Sequence, residues 1–383
     1  MSIDRTSHVT GHLSPIYKPL SIPVPTSQST PSNKGADTPV SDGPINSGLG
    51  AQTIAKQAVV FDFPTELLAK YTPAELLGSG GMGKVIGVTQ NYTSRRLAIK
   101  LAPITLTPNL IARWEAEVKA HRDASCSPLG LETYVVRYHE SGITDNGQRY
   151  IVMDRAKESL KDFINSGRNT NVSQTVSYLA QIARGLDEIL ERSHIPAHRD
   201  IKPGNVLIGE DNIARVADFG LVTTNNTETG DINGTPGYLA PEFIHGTKDS
   251  NKFSDMFSFG VLAYEALTGT NPFQADSPVR AFLKTQNFEP EHLSNINAEV
   301  PQEVGDIISA LLQKDPKDRV RPDSLNPAPG VKARYLTFRE IADDLCHAAG
   351  IPSPASNALL RRRELVAKLQ QAEMSIAHPL PSS

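Results

Sequence analysis

The chain has 383 residues, of which 39% are hydrophobic and 21% charged, and a formal net charge of −4. So small a charge bias gives no bulk electrostatic reason for a nucleic-acid or acidic-membrane partner. Two cysteines, Cys126 and Cys346, exclude a disulfide framework or a four-cysteine zinc site and suit a reducing compartment, and no apolar run is long enough to suggest a membrane span.

Residues 1–55 are crowded with Ser, Thr, Pro, Gly and Asn and show no apolar period, which predicts a disordered leader. A plain tail is its simplest use and an export or targeting leader the alternative; there is no basic region followed by an apolar block, as a cleaved signal requires. Order is expected to begin near "FDFPTELLAKYTPAELLG", and from there short strand-like runs dominate to about residue 155. "KVIGVTQ" and "RRLAIKL" flank the turn "NYTS", and "YVVRYHESGI" and "QRYIVMD" flank Asp145, Asn146 and Gly147, a strong hairpin signal. Between these pairs lies one helix, "NLIARWEAEVKAH".

The period then changes. Val172, Val176, Leu179, Ile182, Leu186 and Ile189 recur at three- and four-residue steps and form one apolar stripe. "DMFSFGVLAYEAL" is apolar on most sides and predicts a buried central helix, and "EVGDIISALLQKD" predicts another amphipathic one. Residues 354–377 predict a last helix with Leu365, Leu369, Ala372 and Ile376 on one side; it lies on its own domain or projects as a tail, with docking of a partner the alternative.

"LGSGGMGKV", residues 77–85, fits three phosphate-binding templates. A Walker A loop needs a hydroxyl after its lysine and opens into a helix, but position 85 is Val and a strand follows. A dinucleotide fold likewise requires a helix after the glycines, with an acidic residue about twenty positions on. The third template is a strand, a glycine hairpin, a strand and a lysine on the next strand, and "AELLGSGGMGKVIGVTQNYTSRRLAIKL" follows that order. "HRDIKPGNV" from His198, "DFG" from Asp218 and "APE" from Ala240 come next at the required intervals. With these motifs, residues from about 70 to 345 resemble the eukaryotic-like (Hanks-type) protein kinase family, most closely its bacterial serine/threonine branch.

The resemblance implies an α+β, two-lobed protein kinase fold: a small antiparallel-sheet N-lobe with one helix (residues 70–153) and a larger helical C-lobe (157–345). It implies ATP and Mg²⁺ as cofactors, with Mn²⁺ an alternative cation, and protein Ser/Thr hydroxyls as acceptors. Leu77, Gly78, Gly80, Gly81, Gly83, Val85, Ala98, Met153, Asp154, Ala156 and Leu207 would surround the nucleotide, and Lys100 would hold its α and β phosphates. A carboxylate on the following helix would fix Lys100; the register of "RWEAEV" against the family selects Glu115 over Glu117, and only one of the two can face the cleft. Asp200 would receive or orient the substrate hydroxyl proton, Lys202 would sit near the γ-phosphate, and Asn205 with Asp218 would hold the metal.

By the same resemblance, His198 is a packed scaffold residue and Arg199 offers a bidentate cation to the activation segment. That segment carries Thr223, Thr224, Thr227 and Thr229 as candidate phosphosites, whereas Thr235 matches a residue that contacts Asp200 and Lys202. Asp255 matches an anchor of the catalytic loop, and Glu242 with Arg319 a buried ion pair. Leu221 tilts the acceptor preference toward serine. Pro196 and Ala197 depart from the family's usual aliphatic pair before "HRD", which bears on local packing. The resulting expectation is a cytoplasmic Ser/Thr protein kinase that autophosphorylates, with self-association to serve that reaction. Its rivals are a catalytically silent scaffold, a small-molecule kinase and a kinase exported by its leader.

Overall fold

The computed structural model describes residues 63–81, 83–126, 133–221, 234–244, 251–325, 333–354 and 356. The expected leader lies outside the described residues, and of the expected helix at 354–377 only residues 354 and 356 are described. Five antiparallel strands come first: β1 (Tyr71–Gly80), β2 (Gly83–Gln90), β3 (Arg96–Leu101), β4 (Tyr138–Ile143) and β5 (Arg149–Asp154), in the sheet order β1-β2-β3-β5-β4. One helix, α1 (Pro108–Ser125), is inserted between β3 and β4; the Thr107 side chain caps it and Pro108 opens its first turn.

Side-chain alternation on β3 sets the geometry of everything downstream. Leu97, Ile99 and Leu101 face one way and join Leu67, Tyr71, Ile86, Val88 and Val152 in a cluster. Ala98 faces the other way, toward Trp114 of α1, Ile151 and Met153. Lys100 is two residues beyond Ala98, so it emerges on that same face, against α1. The hairpin between β4 and β5 turns where Asn and Gly predict it, with Gly147 at φ 83.

Tyr134–Val136 departs from the expected strand, whereas the Arg137 carbonyl still accepts the Asp154 N–H of β5 at 3.0 Å. Val135 bridges in parallel to Val216, and the Val136 N–H and the Tyr134 carbonyl bond to the same residue, so this segment pairs with the second half of the molecule. An alternating apolar run satisfies either partner, and local pattern does not choose between them.

The second half contains β6 (Glu158–Ser159), α2 (Leu160–Asn165), α3 (Val172–Ser193), β7 (Val206–Ile208), β8 (Ala214–Val216), α4 (Pro241–Ile244), α5 (Lys252–Thr268), α6 (Pro278–Asn287), α7 (Leu293–Ile296), α8 (Gln302–Leu311) and α9 (Phe338–Ala348). The predicted stripe of α3 is buried throughout, and α5 is buried along nearly its whole length. The sequence reading passes over α9, although Thr337 and Glu340 form a capping box at its start, a T-x-x-E signal visible in the residues. Among the described residues no helix is long and apolar enough to cross a membrane.

Candidate active site

Between the five-stranded sheet and the helical half lies a cleft of about 420 Å³. Leu77, Gly78, Val85, Ala98, Lys100, Met153, Asp154, Ala156, Asn205 and Leu207 line it, as does Asp218. Its apolar walls come from register. Ala98 pairs with Gly87 on one side and Met153 on the other, and Val85 pairs with Lys100. Leu207 and Ala217, from the two short strands β7 and β8 and the residue after them, complete the walls from below.

Gly80, Gly81 and Gly83 do not line the cleft. A Cβ at Gly80 or Gly81 would meet nothing within 4 Å. Gly83 has a different reason to be glycine: it sits at φ 114, and a Cβ there would fall 1.9 Å from the Leu101 carbonyl oxygen. Close approach of β2 to β3 explains this glycine without any ligand.

Lys100 is buried, 8% exposed, with its Nζ 2.5 Å from Glu117 Oε1 and 3.2 Å from Asp218 Oδ1. Burial disfavours the ammonium, but Glu117 and then Asp218 outweigh it and hold the Lys100 amine above its usual range. Burial likewise opposes ionisation of Asp218, yet Lys100 and the Gly220 N–H bring its carboxyl below the ordinary range.

The partner of Lys100 is therefore Glu117, which corrects the choice of Glu115. The buried face of α1 is Trp114, Glu117, Ala120, His121 and Ala124, an i, i+3, i+4 series. Glu115 falls off that face; its side chain is 65% exposed and, among the described residues, pairs with Arg149 at 3.5 Å. The phase of Trp114, Ala120 and Ala124 in the sequence carried this information, and alignment by the family's register overrode it.

Asp200 is the hub of a second cluster. Lys202 Nζ lies 3.0 and 2.8 Å from its two carboxylate oxygens, Asn205 Nδ2 donates to Oδ2 at 2.7 Å, and Thr235 Oγ1 donates to Oδ1 at 2.9 Å. Lys202 also donates to Thr235, at 2.9 Å. Asn205 spends its amide nitrogen on Asp200, which leaves its oxygen for a cation, and Asn205 and Asp218 line the same cleft. One carboxylate plus one amide oxygen, with phosphates completing the shell, is a donor set that fits Mg²⁺. Among the described residues no cage of three or more His, Cys, Asp or Glu side chains offers a metal site made by protein alone.

Arg199 at φ 71 and Asp218 at φ 62 occupy the left-handed region. Each such residue costs of order 1–3 kcal/mol and persists only where surrounding contacts enforce it. Asp255 supplies one restraint by accepting the backbone N–H groups of His198 at 2.5 Å and Arg199 at 2.9 Å. The Gly220 N–H, bonded to Asp218 Oδ1 at 3.2 Å, supplies the other. Glu242 and the fully buried Arg319 form a bidentate pair at 2.7 and 2.8 Å beneath this region. Thr223, Thr224, Thr227 and Thr229 lie outside the described residues.

Sequence reasoning missed His121, one turn after Glu117. Its ring stacks on Phe219 at 5.0 Å and meets Tyr138 edge-on at 5.8 Å, while Nε2–H donates to the Val136 carbonyl at 2.7 Å. Phe219 also contacts His198, so an aromatic column joins α1 to the segment bearing Asp218. Burial pushes the His121 imidazole down to about 4, against 6.5 in the unfolded chain. Between those values the unfolded chain binds a proton that the folded one excludes. The His121 contribution is complete above about pH 6.5 and falls by about 3 kcal/mol as pH drops to 4. Thermal melting from pH 7.5 to 4.5 should show His121→Leu with a shallower loss of stability than the parent; equal slopes would contradict the assignment. Ser159 and Asp162 at the cleft mouth were also passed over. They form the capping box of α2, an S-x-x-D signal present in the sequence.

The family profile described as the protein kinase domain matches residues 71–329. Curated relatives include a probable serine/threonine-protein kinase of Clostridium acetobutylicum, 29% identical over 72% of this chain and 42% of its own length. Serine/threonine-protein kinase PknA of Mycobacterium tuberculosis is 31% identical over 67% of this chain and 59% of its own length. PknB of Mycolicibacterium smegmatis is 31% identical over 67% of this chain and 41% of its own. The chain thus spans about half the length of the curated relatives it matches.

Proposed function

The chain belongs to the protein kinase family, and from that premise we propose that it transfers the γ-phosphate of Mg-ATP to serine or threonine hydroxyls of proteins. The observation that carries this reading is the convergence of Lys100, Asn205 and Asp218 on one cleft, with Asp200 one hydrogen bond away through Asn205. Lys100 would hold the α and β phosphates, kept cationic by Glu117. The Asn205 amide oxygen and the Asp218 carboxylate would hold Mg²⁺, which when bound would neutralise charge on the phosphates. Asp200 would orient the acceptor hydroxyl and take its proton. The hydroxyl oxygen bonds to the γ-phosphorus, the bond from that phosphorus to the bridging oxygen breaks, and ADP leaves with the electron pair. Lys202, placed between Asp200 and Thr235, would compensate charge on the moving phosphoryl group.

Incubating the purified chain with γ-labelled ATP and Mg²⁺ or Mn²⁺, with mass-spectrometric site mapping, should give phosphoserine or phosphothreonine on added protein substrate. Absence of transfer under both cations would leave a scaffold that keeps the fold without the chemistry. Three finer elements are part of the proposal and are supported by the sequence alone. Autophosphorylation among Thr223, Thr224, Thr227 and Thr229 would be read by the same mapping, and self-association by the concentration dependence of its rate. The location is cytoplasmic, with delivery out of the cell by residues 1–50 as the alternative; the alternative fails if deleting those residues leaves export unchanged.

A further inference from the structure

The last turns of α1 and the residues Thr133 and Tyr134 that lead into β4 are held from two directions by the helical half of the molecule. From α3, Arg192 donates to the Ala124 carbonyl at 3.0 Å and Ser193 to the Ala120 carbonyl at 3.1 Å, fixing the last turns of α1. Glu188 on the same helix accepts from the Thr133 hydroxyl at 2.7 Å and from the Tyr134 N–H at 3.2 Å. α3 also approaches so closely that a Cβ on Gly185 would lie 2.3 Å from the Tyr134 carbonyl oxygen.

The second grip comes from the segment after α9. The chain turns at Gly350, φ 62, the Ile351 N–H bonds back to Cys346 at 3.0 Å, and the carbonyl of the buried Pro354 accepts the Tyr134 hydroxyl at 2.8 Å. Tyr134 is only 5% exposed, so this hydroxyl needs a protein acceptor. Its partner is 220 residues away in sequence.

We propose that Tyr134 is a positioning residue for the Lys100–Glu117 pair, and that residues 351–354 form a strap through which the segment after α9 sets the placement of α1. The catalytic part of this inference rests on the function proposed above. α1 carries Glu117 two turns before Ala124, the residue held by Arg192. Arg192 also reaches the Thr133 hydroxyl beside Tyr134, at 3.5 Å, so on this proposal a loosened Tyr134 shifts the end of α1 and with it the carboxylate that holds Lys100.

Two changes remove the same contact independently. Tyr134→Phe deletes the hydroxyl and keeps the ring. A chain ending at Ile351, compared with one ending at Ser356, deletes the acceptor while anything contributed by later residues cancels. The readouts are kcat per titrated active site and amide hydrogen exchange of α1 against that of α5. Each change should lower kcat roughly fivefold and speed exchange in α1 by a similar factor while α5 is unchanged, as expected for one hydrogen bond. Adding Tyr134→Phe to the chain ending at Ile351 should do nothing more. Unchanged α1 exchange in Tyr134→Phe, faster exchange in α1 and α5 alike, or effects that multiply in the combined variant would overturn the strap. If the parent transfers no phosphate, the kinase reading fails, and the α1 exchange comparison still decides whether the strap exists.

Discussion

Asp200→Asn should lower phosphate transfer by roughly 10²–10⁴-fold while nucleotide affinity stays within a few-fold of the parent. The carboxylate is held by four donor contacts, two from Lys202 and one each from Asn205 and Thr235. An asparagine of the same shape can keep part of that network but cannot take the acceptor proton. The cleft proposed to hold the nucleotide is lined by other residues, Asp200 not among them, so binding and chemistry should separate at this position. Steady-state transfer to a protein substrate, paired with calorimetric titration of the nucleotide, reads both quantities. Retention of a tenth of the parent rate would remove Asp200 from the role assigned to it.

The second large effect discriminates between two glutamates. Lys100→Met should cost about 10²–10³-fold in kcat, and Glu117→Gln roughly 10–100-fold together with a lowered melting temperature. Glu115→Gln should leave both within about twofold, as expected for an exposed charge. Glu117 and Lys100 are both buried, so removing the glutamate leaves an ammonium whose remaining carboxylate neighbour is Asp218, at 3.2 Å. Drawing Lys100 onto Asp218 also competes with the metal role proposed for that aspartate. Parallel kinetics of the three variants settle the matter, and equal losses at Glu115 and Glu117 would contradict the geometry of α1.

The features legible in the sequence are those whose signal is local. The hairpin at Asn146 and Gly147, the stripe of α3 and the buried α5 each lie within a few residues, and the roles proposed for the short motifs came from their resemblance to the family. Glu117 was ranked below Glu115 for a different reason: the helix phase of Trp114, Ala120 and Ala124 was outweighed by the family's register. His121 gave no signal, because an imidazole on a helix becomes informative only when Phe219 and Tyr138 are known to close over it. The pairing of Tyr134–Val136 with Val216, and of Tyr134 with Pro354, joins distant segments for which no periodicity speaks.

Gly83 alters how a scan of the glycine hairpin should be interpreted. Alanine at 80 or 81 has open space, whereas alanine at 83 collides with the backbone of the neighbouring strand and forces the sheet apart at the point where Val85 enters the cleft. An inactive variant at 83 would therefore be diagnostic of broken strand pairing and silent about triphosphate contacts. A phosphate contact proposed for this hairpin is better interrogated at Gly78, which lines the cleft and leaves open space for a Cβ.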